Sequence, residues 1–203
     1  MSKGIPIPEF LLEEILRAGF AALKTTPDVL DDLFALYPDK FRIEAKEFVT
    51  VYKIDVRQNW PMAALQQPTV CVVNSGTSED ASKDTLDSAM GEEDSDDPGA
   101  VTSRYGIAEN CSYQMFLSTP DPRMTIILAT LVRAILILNY TTLMEGGLHN
   151  VMLSQSDLRF SEEMLPMLQN PRVVTLSALT YFTVPVTERI ITALFATLTP
   201  KVV

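Results

Sequence analysis

Apolar residues change period several times along this chain, and each change marks an element. Leu12, Ile15, Leu16, Phe20 and Leu23 recur at three-to-four spacing, which predicts a helix from Pro8, a residue suited to a first helical turn. Thr26 reads as the cap of a second helix, with Pro27 presetting its first turn and Asp28 at its positive end. Val29, Leu30, Leu33, Phe34 and Tyr37 supply that helix with an apolar stripe, and Pro38 is expected to end it. An N-terminal helical pair results.

Further on the period shortens to two. In "EFVTVYKIDV", residues 47–56, Phe48, Thr50, Tyr52 and Ile54 alternate with Val49, Val51, Lys53 and Asp55, as in a strand. "NWPMAALQQP" reads as a connection with Trp60 as a local anchor. "TVCVVN", residues 69–74, is a short β-type run and is expected to be a buried strand. Alternation returns in "SYQMFLST", residues 112–119, through Tyr113, Met115 and Leu117.

"MTIILATLVRAILILNY", residues 124–140, is the most apolar run. Asp121 is placed to cap it, Pro122 falls in its first turn, and "EGG" at 145–147 supplies a stop. With the following "TTLM" it would extend roughly 30 Å as a helix, close to a bilayer core. Arg133 stands at its centre, however, where insertion costs about 2.5 to 3.5 kcal/mol, and its flanks lack basic clusters and aromatic belts. Thr125, Thr130, Arg133, Asn139 and Thr141 fall on one arc, facing away from Ile127, Leu128, Leu131, Ile135, Leu138 and Leu143. The expectation is a water-soluble helix with an unusually wide apolar face, and no membrane. Such a helix needs cover on more than one side. The surplus at Ile126 and Ile137, with Arg133 between them, fits a subunit contact as well as it fits burial beneath the chain's own helices.

After a loop carrying His149, a short helical piece is expected near 161–168. A long strand follows, from about Val173 to Val184. Residues 187–198 fit either a helix or a hairpin arm, with threonine content favouring the strand. The predicted class is α+β: a mostly antiparallel sheet packed against a long central helix and an N-terminal helical pair, in a single domain over 1–203.

Composition changes the picture in one place. The net charge is −10, yet nine acids and one base between Glu79 and Asp97 account for −8 of it. An acidic loop inserted at about 75–100 therefore carries the charge, and the remainder is close to neutral. Its densest part, Glu92, Glu93, Asp94, Asp96 and Asp97, is a candidate surface facing a lumen or a partner. A balance of this sign argues against broad binding to a phosphate backbone.

Little else carries chemistry. "NSGTSED" lacks the lysine and glycine spacing of a phosphate-binding loop, and His149 is the single histidine. "EEDSDD" lacks the alternating ligands and turn glycine of a calcium loop. Cys71 and Cys111 make neither a disulfide framework nor a zinc set, which points to buried thiols in a protein made in a reducing cytoplasm. "MSKGIPIPEF" lacks the features of a signal peptide. No catalytic residue, metal ligand or cofactor site is expected, and the chain does not read as an enzyme.

The order of these features resembles one family. A helical pair over "FLLEEILRAGFAALKTTPDVLDDLF" is followed by a strand, a proline-containing turn and the strand "PTVCVVNSG". An acidic excursion comes next, then a strand running into "TIILATLVRAILILNYTTLMEGGLHNVMLSQSDL" and a closing strand after "NPRVV". This pattern resembles the neck and tail-completion proteins of long-tailed bacteriophages, particularly the tail terminators. The resemblance implies an α+β subunit in a ring, usually six-fold, on top of the tail tube. Such a ring would touch tail tube and sheath proteins on one side and a neck connector or stopper on the other. It implies a virion protein made in the host cytoplasm, with DNA merely passing through the lumen. The long acidic loop and the apolar segment after the last strand depart from compact members, leaving room for a collar or connector ring. From a different class, the same residues fit a soluble cytoplasmic adaptor that engages a basic partner through its acidic loop.

Overall fold

The computed structural model describes residues 7–58, 67–79, 103–157 and 170–186. Trp60, the acidic cluster Glu92 to Asp97, the expected helical piece at 161–168 and the segment 187–198 lie outside the described residues.

The first helix, α1 (Pro8–Thr25), forms as expected and buries Leu12, Ile15, Leu16 and Phe20 on one face. Thr26 caps the end of α1 rather than the start of the next helix, its hydroxyl donating to Ala22 O at 2.9 Å. The second helix, α2 (Val29–Leu33), is a single turn and a half, with Asp28 at its N-cap. Pro38 begins an element instead of only ending one: it is the N-cap of α3 (Asp39–Val51). The strand expected over 47–56 is therefore corrected to the end of α3 followed by the short strand β1 (Asp55–Gln58). Phe41, Ala45, Phe48, Val49 and Tyr52 satisfy a helical period, and all five pack into or against the core. Over so short a window both periods fit, and burial of the helical face decides.

Four more strands follow among the described residues. These are β2 (Thr69–Glu79), β3 (Ser103–Ser118), β4 (His149–Asp157) and β5 (Arg172–Val186). They form one five-stranded sheet in the order β1-β2-β3-β5-β4. Only β1 and β2 run parallel; the other three pairings are antiparallel, and the class is α+β. Residues 75–79, expected at the start of the acidic loop, instead extend β2. His149, expected in a loop, opens β4.

The helix α4 (Pro122–Leu138) starts where Asp121 caps it, the carboxylate accepting from Arg123 N at 2.7 Å. It ends before the Gly-Gly pair. Asn139 turns its amide back onto Ile135 O at 2.8 Å, and a separate short helix, α5 (Tyr140–Glu145), follows. Gly146-Gly147 stops α5, with Gly147 at φ 91°, a conformation that strongly favours glycine.

One face of the sheet holds the core. Val70 pairs with Leu117, and Val72, Met115 and Val174 line up across three strands. Ile127, Leu128, Leu131 and Ile135 of α4 join them, with Leu12, Leu16 and Phe20 of α1 and Phe48 of α3. Each such side chain contributes about 1.5 to 3 kcal/mol on full burial. Arg17 fastens α1 to the sheet edge by donating to Val56 O at 2.9 and 3.2 Å. No described helix is long and apolar enough to cross a membrane.

Candidate assembly surface

The outward side of α4 carries the residues singled out from the sequence. Ile126, Thr130, Arg133 and Ile137 stand at i, i+4, i+7 and i+11, one stripe along a helix. The sheet does not cover this stripe: Ile126 is 40% exposed and Ile137 58%. Leu138, expected to face inward, is corrected to an outward residue, 79% exposed, and Tyr140 beyond it is also exposed. Thr125, expected on the polar arc, is buried. Its hydroxyl lies 2.7 Å from Thr119 Oγ1 and donates to Asp121 O at 3.3 Å, so its polarity is satisfied at the helix entrance. Arg133 reaches Gln155 Oε1 of β4 at 3.4 Å, and Arg123, a turn before Ile126, lies 3.5 Å from Glu44 of α3.

A second apolar surface escaped the sequence reading. The expected stripe over Val29, Leu30, Leu33, Phe34 and Tyr37 buries only Leu30 and Phe34, because α2 stops after Leu33. Val29, Leu33 and Tyr37 are left exposed, together with Ile43 and Leu36, which is 99% exposed. Tyr37 stacks on Phe41 with ring centroids 4.9 Å apart, and Phe34 meets Phe41 edge-on at 5.2 Å, so the aromatic side chains hold this corner rigid. The available signal was Leu36, a large aliphatic residue outside every period.

The charges around α2 are partly spoken for. Lys46 of α3 donates to Asp31 at 2.6 Å and to Asp28 at 2.9 Å. Its ammonium is held above the usual lysine range, chiefly by the hydrogen bond to Asp31 and then by that to Asp28. Asp32 is exposed beside Val29 and Leu33 of α2, with exposed Leu36 in the turn that follows.

The ends of the acidic segment are placed although its densest part is not described. Glu79 ends β2 opposite Glu109, and Ser103 opens β3 opposite Val186. Residues 103–108 pair with 181–186 beyond the reach of β2 and β4, forming a two-stranded ribbon about 20 Å long. The acidic segment joins the end of β2 to the far end of this ribbon.

A cavity of about 610 Å³ over β2 to β5 is lined by uncharged residues, among them Thr77, Asn110, Ser112, Met152 and Ser177. Among the described residues, no group of three or more His, Cys, Asp and Glu is placed to hold a metal ion. His149 lies against Tyr181, with ring centroids 5.7 Å apart. Burial pushes the Cys71 thiol up to about 11, against a smaller opposing pull from Arg57 across the β1–β2 pair. Tyr113 is likewise held well above its ordinary range by burial.

No family model matches the chain, and no curated protein matches it. Among solved structures it is similar to the sheath/tube terminator of an extracellular contractile injection system (PVC) in its extended state. The identity is 17% and the TM-score 0.41; the match covers 74% of this chain and spans 58% of that one.

Proposed function

We propose that this protein is a structural subunit that closes into a ring at the end of a tail tube, in the manner of bacteriophage tail terminators. The observation that carries the reading is the outward stripe of α4. The helix that organises the core also presents Ile126, Ile137 and Leu138 to solvent, apolar surface that the described residues leave uncovered. A ring uses such surface through contacts that close on themselves. The order of helices, strands and central helix that carries the sequence resemblance supports the same reading.

In this proposal the partners are further copies of the chain, six to a ring, the tail tube and sheath proteins beneath and a neck connector or stopper above. The site of action is the neck of a virion. A cluster of −8 per subunit becomes about −48 over six copies. Facing the lumen, it repels DNA phosphates and keeps the genome from adhering as it passes.

Particles assembled without the protein test the reading. Over-long tails lacking a terminal ring support a terminator. Tails of normal length beside detached heads would assign the ring to a collar or connector instead. Normal joined particles, together with a purified protein that stays monomeric, would exclude both.

A further inference from the structure

We propose that neighbouring copies meet head to tail through two different faces, the α4 stripe of one subunit docking on the α2 surface of the next. This rests on the ring reading above and names the surfaces that make the ring. Ile126, Arg133 and Ile137 form the first face, and Val29, Asp32 and Leu33 of α2, with Leu36 of the turn after it, the second.

Three observations support this pairing. Both faces leave large apolar residues exposed, and each carries one charge, Arg133 on α4 and Asp32 on α2. Among the described residues, no carboxylate pairs with Arg133 and no cation pairs with Asp32. The other two acids of the α2 turn, Asp28 and Asp31, are tied to Lys46, so Asp32 is the carboxylate left for a partner. Arg123, at the other end of the α4 face, already lies beside Glu44.

Charge also argues against each face pairing with itself. Arg133 stands near the midpoint between Ile126 and Ile137. Two-fold packing of α4 on α4 therefore brings the two Arg133 positions to within about 5 Å of each other along the axis. Packing of α2 on α2 likewise sets Asp32 near its own copy. Crossing the two faces replaces both repulsions with one attraction and leaves apolar residues against apolar residues. Contacts between unlike faces are also the kind that generates rings.

The full chain carrying Ile137→Asp, and separately Leu36→Asp, tests the pairing. Both side chains are exposed, so each variant keeps a melting temperature near that of the unmodified protein. By sedimentation and native mass spectrometry, each variant alone gives monomers in place of rings. Mixed, the two give a two-subunit species and no ring, because each retains the face that the other lacks. Arg133→Asp or Asp32→Arg alone weakens association at least about tenfold, and the two combined in one chain restore it to within a few-fold. Rings that form normally in both single-face variants, or mixtures that stay monomeric, overturn the pairing and leave the ring reading standing. An unmodified protein that stays monomeric overturns the pairing, and together with normal joined particles in its absence it overturns the ring reading too.

Discussion

Gly19 of α1 lies directly against Ile135 of α4, so close that a Cβ at position 19 would stand 2.5 Å from Ile135 Cγ2 and 2.8 Å from Cγ1. This contact seats the N-terminal helix on the central one. Glycine inside a helix costs about 1 kcal/mol relative to alanine, a cost offset here by the approach it permits.

Gly19→Ala is accordingly expected to destabilise the fold by about 1 to 2 kcal/mol, the overpacking strain outweighing the gain in helix propensity. Combined with Ile135→Ala, it should cost at least about 1 kcal/mol less than the sum of the two single changes, because the new methyl enters the space vacated. Urea denaturation of the four proteins measures this coupling, and strict additivity would contradict it.

Asp121 accepts from Arg123 N at the start of α4. Asp121→Ala removes an acceptor from the first turn and is expected to cost about 1 kcal/mol, whereas Asp121→Asn keeps the acceptor and stays within a few tenths. Equilibrium denaturation separates the two. Equal losses would place the contribution in charge rather than in capping.

Cys71 gives a pH signature. Burial raises its thiol to about 11, above the usual 9.0, so between these values the folded chain holds a proton that the unfolded chain has released. The stabilisation is fully present below about pH 9 and is lost as pH rises through about 11. Stability should therefore fall more steeply over this window in the unmodified protein than in Cys71→Ala. Parallel curves would mean that the thiol does not contribute.

The acidic segment makes a prediction about assembled rings. Changing Glu92 and Glu93 to Gln, and Asp94, Asp96 and Asp97 to Asn, takes the segment from −8 to −3 per subunit. Rings of this variant should repel duplex DNA less than unmodified rings do, passing it more readily at low salt, with the difference shrinking as salt rises. Identical behaviour would place the cluster away from the lumen.

The candidate surface was half legible before the structure. Ile126, Arg133 and Ile137 could be placed on one stripe because a 17-residue helix repeats its period often enough to assign its faces. The α2 face was not legible, because its five helical residues read equally well as the start of a longer buried helix. Whether Leu33 and Tyr37 lie inside or outside depends on where that helix breaks, and the break follows from how Phe34, Tyr37 and Phe41 pack.

By itself the sequence determined the elements whose signals are local and repeated. These are α1 with its single apolar face, the buried start of β2, the Asp121 cap of α4, the long β5, and hence the α+β class. Periodicity and capping act within a few residues, so they can be read without knowing what lies opposite. Tertiary structure alone decided the rest. It chose helix over strand at Phe48 and Val49, turned Leu138 outward and Thr125 inward, paired β1 parallel to β2 and set His149 at the start of a strand. Each of these depends on which surfaces meet across the core. Where two periods fit the same residues, the free energy of burial selects between them, and burial is a property of the folded chain as a whole.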